Sequence, residues 1–129
     1  MKTIKNSLLC GSIYFLLMAS AHAIGFKIPG LFIYFNVPSY AYQDNVISFF
    51  AFSWAVFYFL AYQDPNKKIL KSILIIGASA IIMLTFINVN TDFMYFTKGI
   101  NPILFHIQTA LLLIYWVWLM RCYVKLKNK

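Results

Sequence analysis

The sequence is poor in charge, above all in negative charge. Charged residues make up 11% of the 129 residues, and only three residues are acidic, whereas about 25% charged residues is typical of a soluble globular domain. Hydrophobic residues make up 62% of the chain. A soluble protein of this length could not cover so apolar a core with so few charges. We therefore expect lipid to replace water around most of the chain.

The excess of basic residues does not indicate nucleic-acid binding. The net charge of +8 comes from 11 Lys and Arg residues against three acids, but the basic residues stand at the ends of apolar runs. There they are typical topology signals and contacts for anionic headgroups. Tyr115, Trp116 and Trp118 directly precede the basic C-terminal segment, as in an aromatic anchor. The expected partners are membrane lipids, including anionic inner-leaflet lipids, and no nucleic acid.

Motifs that carry chemistry are also scarce. The two cysteines, Cys10 and Cys122, form no CxxC pair, which argues against a thiol–disulfide enzyme. No nucleotide loop, nucleophile elbow, HExxH or EF-hand pattern occurs in the sequence. No Asp, Glu, Lys or Arg lies near the middle of an apolar run, which argues against an ion-coupled pump. The sequence therefore assigns no catalytic residue.

Four long apolar runs dominate the chain. They cover residues 7–26, 45–62, 69–88 and 102–120, and each is long enough to cross a hydrocarbon core of about 30 Å as a helix. In lipid, backbone groups must bond internally, and the runs show no sustained alternation typical of strands. The sequence predicts an all-α membrane protein, a four-transmembrane-helix bundle that forms one integral membrane domain over residues 1–129.

The basic residues predict the orientation of these spans. Two basic residues, Lys27 and Lys98, fall on one side of the predicted membrane. The nine on the other side are Lys2, Lys5, Lys67, Lys68, Lys71, Arg121, Lys125, Lys127 and Lys129. The positive-inside rule then places both termini in the cytoplasm. Together with the economy of a single small chain, this favours the bacterial inner (cytoplasmic) membrane.

The first apolar run also resembles a secretory signal peptide. Two lysines precede an apolar stretch, and Ala21-His22-Ala23 matches an A-x-A cleavage site. Cleavage would remove residues 1–23 and leave three spans with the N-terminus outside. Because the run continues in apolar residues through Phe26, retention as a fourth span is the preferred interpretation.

The two segments on the outer side are aromatic rather than polar. Residues 27–44 and 89–101 contain several aromatic side chains, and prolines break any continuing helix in the first segment. One interpretation is an aromatic belt at headgroup level. The other is a lid over a groove for a lipid or a partner. The candidate ligand or partner contacts are Tyr34, Tyr40, Tyr42 and Tyr95.

Two histidines are the candidates for binding a cofactor. His22 and His106 are predicted near the outer face, at similar depth on the first and fourth spans. Two facing histidines could ligate a haem b between helices. Alternatively, each is an interfacial, hydrogen-bonded histidine. The sequence offers no third ligand at matching depth for zinc and predicts no metal site.

Strips of small residues predict close helix packing. Ser48, Ala51 and Ala55 share one side of the second span, and residues 77–80 give the third span a narrow waist. Small residues let helix backbones approach, and hydroxyl groups bond across helices. The pattern leaves open whether a strip contacts a helix of the same chain, a homo-oligomer or a different membrane protein.

Elimination leaves a non-catalytic protein as the leading hypothesis. We expect an accessory or interaction subunit, or a lipid-contacting scaffold. The alternative from another class is a carrier for an uncharged or lipidic small molecule entering beneath the outer aromatic segments. The second alternative is a haem-binding electron-transfer subunit that uses His22 and His106.

Overall fold

The computed structural model describes residues 2–26, 41–92 and 102–127, and these residues form four helices. The helices are α1 (Lys2–Ala23), α2 (Ala41–Gln63), α3 (Lys67–Asn90) and α4 (Ile103–Lys127). They contain 22 to 25 residues each, which corresponds to about 33–38 Å at 1.5 Å per residue. All four are long and apolar enough to cross a membrane.

The helices extend beyond the apolar runs at their basic ends. The chain is already helical at Lys2, and α4 continues to Lys127, because Lys and Arg are good helix formers whose long side chains keep their charge in water. α1 ends at Ala23, before the predicted residue 26. The reason is Gly25, which adopts a left-handed conformation with φ of 66°.

Gly25 closes α1 with a Schellman motif. The Phe26 amide donates to the Ala21 carbonyl at 2.8 Å, and the Gly25 amide donates to the His22 carbonyl at 3.1 Å. These bonds satisfy carbonyls that the end of a helix leaves unpaired. Glycine suits this position because a Cβ disfavours positive φ. The motif leaves His22 in the last turn of α1.

The chain divides into two compact units, each built on an antiparallel helix pair. The first hairpin consists of α1 and α2. Its core contains the α1 residues Ile4, Leu8, Gly11, Ser12 and Ala19 and the α2 residues Ala55, Tyr58 and Ala61. Small residues are frequent in this core, so the two backbones approach closely.

The second hairpin consists of α3 and α4. Its core has larger side chains, namely Leu70, Ile73, Leu74 and Asn88 from α3 and Phe105, Leu119 and Cys122 from α4. The outward faces of all four helices are apolar as well, with exposed Ile, Leu, Val and Phe side chains along each of them. Such outward faces are expected of helices surrounded by lipid.

Candidate functional site

Two reciprocal hydrogen bonds join the helices of the first hairpin. The Ser12 hydroxyl donates to the Ala55 carbonyl at 2.8 Å, and the Ser48 hydroxyl donates to the Ala19 carbonyl at 2.8 Å. Ser12 and Ala19 are seven residues apart on α1, as are Ser48 and Ala55 on α2. Each serine therefore bonds where the opposite helix presents an alanine, whose small side chain leaves its carbonyl accessible.

A histidine–aspartate pair closes one end of this hairpin. His22 Nδ1 lies 3.2 Å from Asp44 Oδ1, and the two side chains are 12% and 14% exposed. His22 lies in the last turn of α1 and Asp44 in the first turn of α2. The dipole of α1 favours a positive group at its C-terminal end, where His22 lies. The dipole of α2 favours a negative group at its N-terminal end, where Asp44 lies. The contact between Nδ1 and the carboxylate fixes the orientation of the imidazole ring.

A lysine closes the opposite end of the same hairpin. Lys5 Nζ donates to the Gln63 carbonyl at 3.3 Å and lies 5.8 Å from the centre of the Tyr62 ring. Gln63 is the last residue of α2, where carbonyls lack helical partners and a cation is favourable. The first hairpin thus carries polar contacts between its helices at both ends and at two levels between.

The row of polar groups in the first hairpin holds its two helices together. Along α1 the contacts fall at Lys5, Ser12, Ala19 and His22, at intervals of seven, seven and three residues, or about 10, 10 and 5 Å at 1.5 Å per residue. Both serine hydroxyls donate to carbonyls of the opposite helix, so the serines serve helix packing. His22 and Asp44 are the two ionisable side chains of the row that contact each other.

An asparagine holds one end of the second hairpin. Asn88 Nδ2 on α3 donates to the Phe105 carbonyl at 3.2 Å and to Thr109 Oγ1 at 2.9 Å, both on α4. Asn88 is buried. A buried amide is costly unless it is hydrogen-bonded, so these bonds both satisfy it and fix the pairing of the helices.

An indole over a glycine joins α3 and α4 near the middle of the hairpin. Trp116 Nε1 donates to the Leu74 carbonyl at 2.8 Å. A Cβ added at Gly77 would lie 2.9 Å from Cδ1 of the same indole, closer than side-chain carbons pack. Gly77 therefore makes room for the ring. The predicted waist at residues 77–80 receives an α4 side chain from the same hairpin.

The structure places the predicted site residues in different surroundings, and some of them lie outside the described residues. His22 pairs with Asp44 in the first hairpin, as a hydrogen-bonded histidine would, whereas His106 is exposed near the start of α4 in the second. Tyr42 is 79% exposed in the first turn of α2. Tyr34, Tyr40 and Tyr95 lie outside the described residues. The lid and the carrier hypothesis that depends on it therefore stay predictions.

Sequence reasoning found part of these contacts. The prediction of small-residue packing is confirmed for Ser48 and Ala55, which face α1 of the same chain. No motif in the sequence indicates that Asp44 is largely buried against His22. The roles of Ser12 and Asn88 were missed. A polar residue within an apolar span, spaced seven residues from a small one, is the signal that could have found Ser12.

The described residues contain no group of three His, Cys, Asp or Glu side chains placed to hold a metal ion. No protein-family model, curated protein or solved structure matches this chain.

Proposed function

We propose that this chain is a non-catalytic accessory subunit of a bacterial inner membrane, with four spans bundled together and both termini in the cytoplasm. Support for membrane placement comes from the four helices, each long and apolar enough to span. The distribution of basic residues supports the orientation. A lipid-contacting scaffold is the form of this proposal in which no protein partner is bound.

One observation carries the proposal. Four polar side chains donate hydrogen bonds to the neighbouring helix of their own hairpin, namely Ser12, Ser48, Asn88 and Trp116. These groups fix helix packing and do not line a path for a polar substrate. What the described helices offer to other molecules is outward apolar and aromatic surface, which suits contact with lipid or another membrane protein.

The clearest outward surface lies on α2. Phe49, Phe52, Val56 and Phe59 are exposed and recur at steps of three and four residues, so they share one face of the helix. This face lies beside the strip that packs against α1. Aromatic side chains are enriched where membrane and soluble partners bind, because they bury much area with little conformational entropy.

Site-specific photo-crosslinking in intact membranes tests the proposal. Benzoylphenylalanine at Phe49 or Phe52 should give a discrete adduct with a second protein, identified by mass spectrometry. The same label at Phe86, an exposed aromatic residue on α3 of the second hairpin, is the matched control. Adducts with lipid alone from all three positions would contradict the accessory role and leave the scaffold form.

The haem-binding alternative keeps one supporting observation. Histidines that ligate a metal usually give their other ring N–H to a carboxylate or a carbonyl, and His22 has Asp44 beside Nδ1. If the protein is a haem subunit, expression with haem supplied should give a Soret band that is lost in both H22A and H106A. A spectrum without that band removes this alternative.

A further inference from the structure

One outward face of α4 changes in character along its length. Exposed side chains recur at alternating steps of four and three residues, which places them in a single row on the helix surface. We call this row the α4 stripe, and it consists of Ile107, Leu111, Ile114, Trp118, Arg121 and Lys125. It begins with aliphatic residues, continues through an indole and ends with two cations.

The dimensions of the stripe match one leaflet of a bilayer. From Ile107 to Trp118 the helix rises by about 16 Å, at 1.5 Å per residue. Half of a hydrocarbon core is about 15 Å thick. Trp118 is 47% exposed and Ile114 is 65% exposed, so both are available to a lipid. With the indole at the interface, where Trp is favoured, the two cations reach the level of the headgroups.

Five cations gather at one end of the second hairpin. Lys67, Lys68 and Lys71 lie at the start of α3, at the same end of the antiparallel pair as Arg121 and Lys125. All five side chains are exposed. The first turns of α3 are an unfavourable place for cations, because the helix dipole is positive there. An external anion would reduce the repulsion among the five cations and the unfavourable interaction of the α3 lysines with the helix dipole.

Acidic side chains do not supply that anion in the second hairpin. Between residues 67 and 129 the sequence contains one acid, Asp92, which follows the opposite end of α3. Within residues 2–26, 41–92 and 102–127, neither Arg121 nor Lys125 forms an ion pair. The first hairpin differs, because its His22 has Asp44 as a partner.

We propose that the α4 stripe binds an anionic phospholipid of the bilayer. The phosphate contacts Arg121 and Lys125, and an acyl chain lies along Ile114 and Leu111. The guanidinium group of Arg121 suits this role because its planar fork matches two phosphate oxygens. The inference rests on the membrane placement proposed above and names the lipid class that the scaffold contacts.

Native mass spectrometry of the full chain in mild detergent tests this proposal. The protein is mixed with equal amounts of phosphatidylglycerol and phosphatidylcholine that carry the same acyl chains. The unmodified chain should bind phosphatidylglycerol in preference. R121Q and K125Q should each lower that preference by about fivefold, the effect of one cation near an anionic surface, whereas the double variant R121K/K125R should retain most of it.

K2Q is the matched control, because it removes one exposed cation from the start of α1 in the first hairpin. It should leave the preference unchanged. An equal loss in K2Q and R121Q would overturn the proposal in favour of a general charge effect, and no preference in the unmodified chain would also overturn it. Unchanged helix content by circular dichroism checks that each variant is folded.

Inorganic phosphate separates a lipid site from a simple anion site. At a concentration equal to that of the lipid it should not displace phosphatidylglycerol, because it gains nothing from the apolar part of the stripe. Displacement under those conditions would overturn the proposal. The outcome is independent of the crosslinking experiment, since a chain with no protein partner could still prefer the anionic lipid, and the reverse also holds.

Discussion

The two hairpins differ in the side chains that hold their two helices together. In the first, serine hydroxyls reach alanine carbonyls, and charged or basic groups bridge the helices at both ends. In the second, one amide and one indole make the bonds between helices. Water is excluded from a membrane interior, so packing and hydrogen bonds must hold helices together there. Among the described residues, the first hairpin uses serine, histidine and lysine side chains for this task, whereas the second uses an asparagine and a tryptophan.

The largest predicted effect is at the glycine beneath the indole. G77A would force the Trp116 ring away and weaken its bond to Leu74, at a cost of about 3 kcal/mol in unfolding free energy. The measurement is unfolding in mixed micelles with increasing denaturing detergent, followed by circular dichroism. S79A, on an exposed position of the same helix, should change little.

A double-mutant cycle sharpens this prediction. In a W116F background the smaller ring leaves space at residue 77, so the cost of G77A should fall by at least half. If G77A lowers the unfolding free energy equally with tryptophan or phenylalanine at position 116, then Gly77 is not needed to make room for the indole. The proposed difference between the two hairpins would then be wrong for this contact.

The next largest loss of stability is expected at the His22–Asp44 pair of the first hairpin. D44A leaves His22 largely buried without its carboxylate, which should lower the unfolding free energy by about 2 kcal/mol. D64A removes an exposed acid at the end of α2 and should have almost no effect. In the double variant H22A/D44A the loss should be less than the sum of the single losses, because the two groups act as a pair. Additive losses would show that they do not.

A smaller effect is expected at the end of α1. G25A must hold a Cβ at positive φ, which costs about 1 kcal/mol. The space around Gly25 is open, with no atom within 4 Å of an added Cβ, so the cost comes from the backbone alone. G25N should recover part of the stability because asparagine tolerates this conformation. Equal stability of G25A and the unmodified protein would argue against the Schellman motif.

The smallest effects test whether the contacts of the first hairpin are distributed. S12A and S48A should each cost about 0.6 kcal/mol, the average for a hydrogen bond between membrane helices. Their effects should add, since the two bonds are separated by about 10 Å along the helix. S53A is the matched control, because its hydroxyl bonds the Phe49 carbonyl of its own helix. A double variant that loses much more than the sum would show that the contacts depend on each other.

The sequence was sufficient for the helices but not for most contacts between them. Apolar run length predicts four helices because lipid imposes a minimum length. Which face of a helix packs on its neighbour was harder, because the outward and inward faces are both apolar. Trp116 illustrates this, since the sequence predicts an interfacial anchor there, whereas its indole N–H donates to the Leu74 carbonyl on α3.

The pairing of His22 with Asp44 depends on tertiary structure that composition does not contain. The two residues are 22 positions apart, and their contact requires α1 to end before Gly25 and α2 to return beside it. The glycine signal for the helix end is present in the sequence. The sequence does not show which helix packs against α1, because an apolar helix can pack against many other apolar helices equally well. Small-residue spacing narrows the choice, as Ser48 and Ala55 show.

The serine–alanine register also has a mechanical consequence. Sliding α1 along α2 by one helical turn, about 5.4 Å, would carry Ser12 and Ser48 away from their acceptors at the same time. The His22–Asp44 contact would break in the same step. Because the serines stand on opposite helices, no small displacement improves one bond while it loosens the other. The first hairpin should therefore resist axial sliding of its two helices, because sliding breaks all three contacts together.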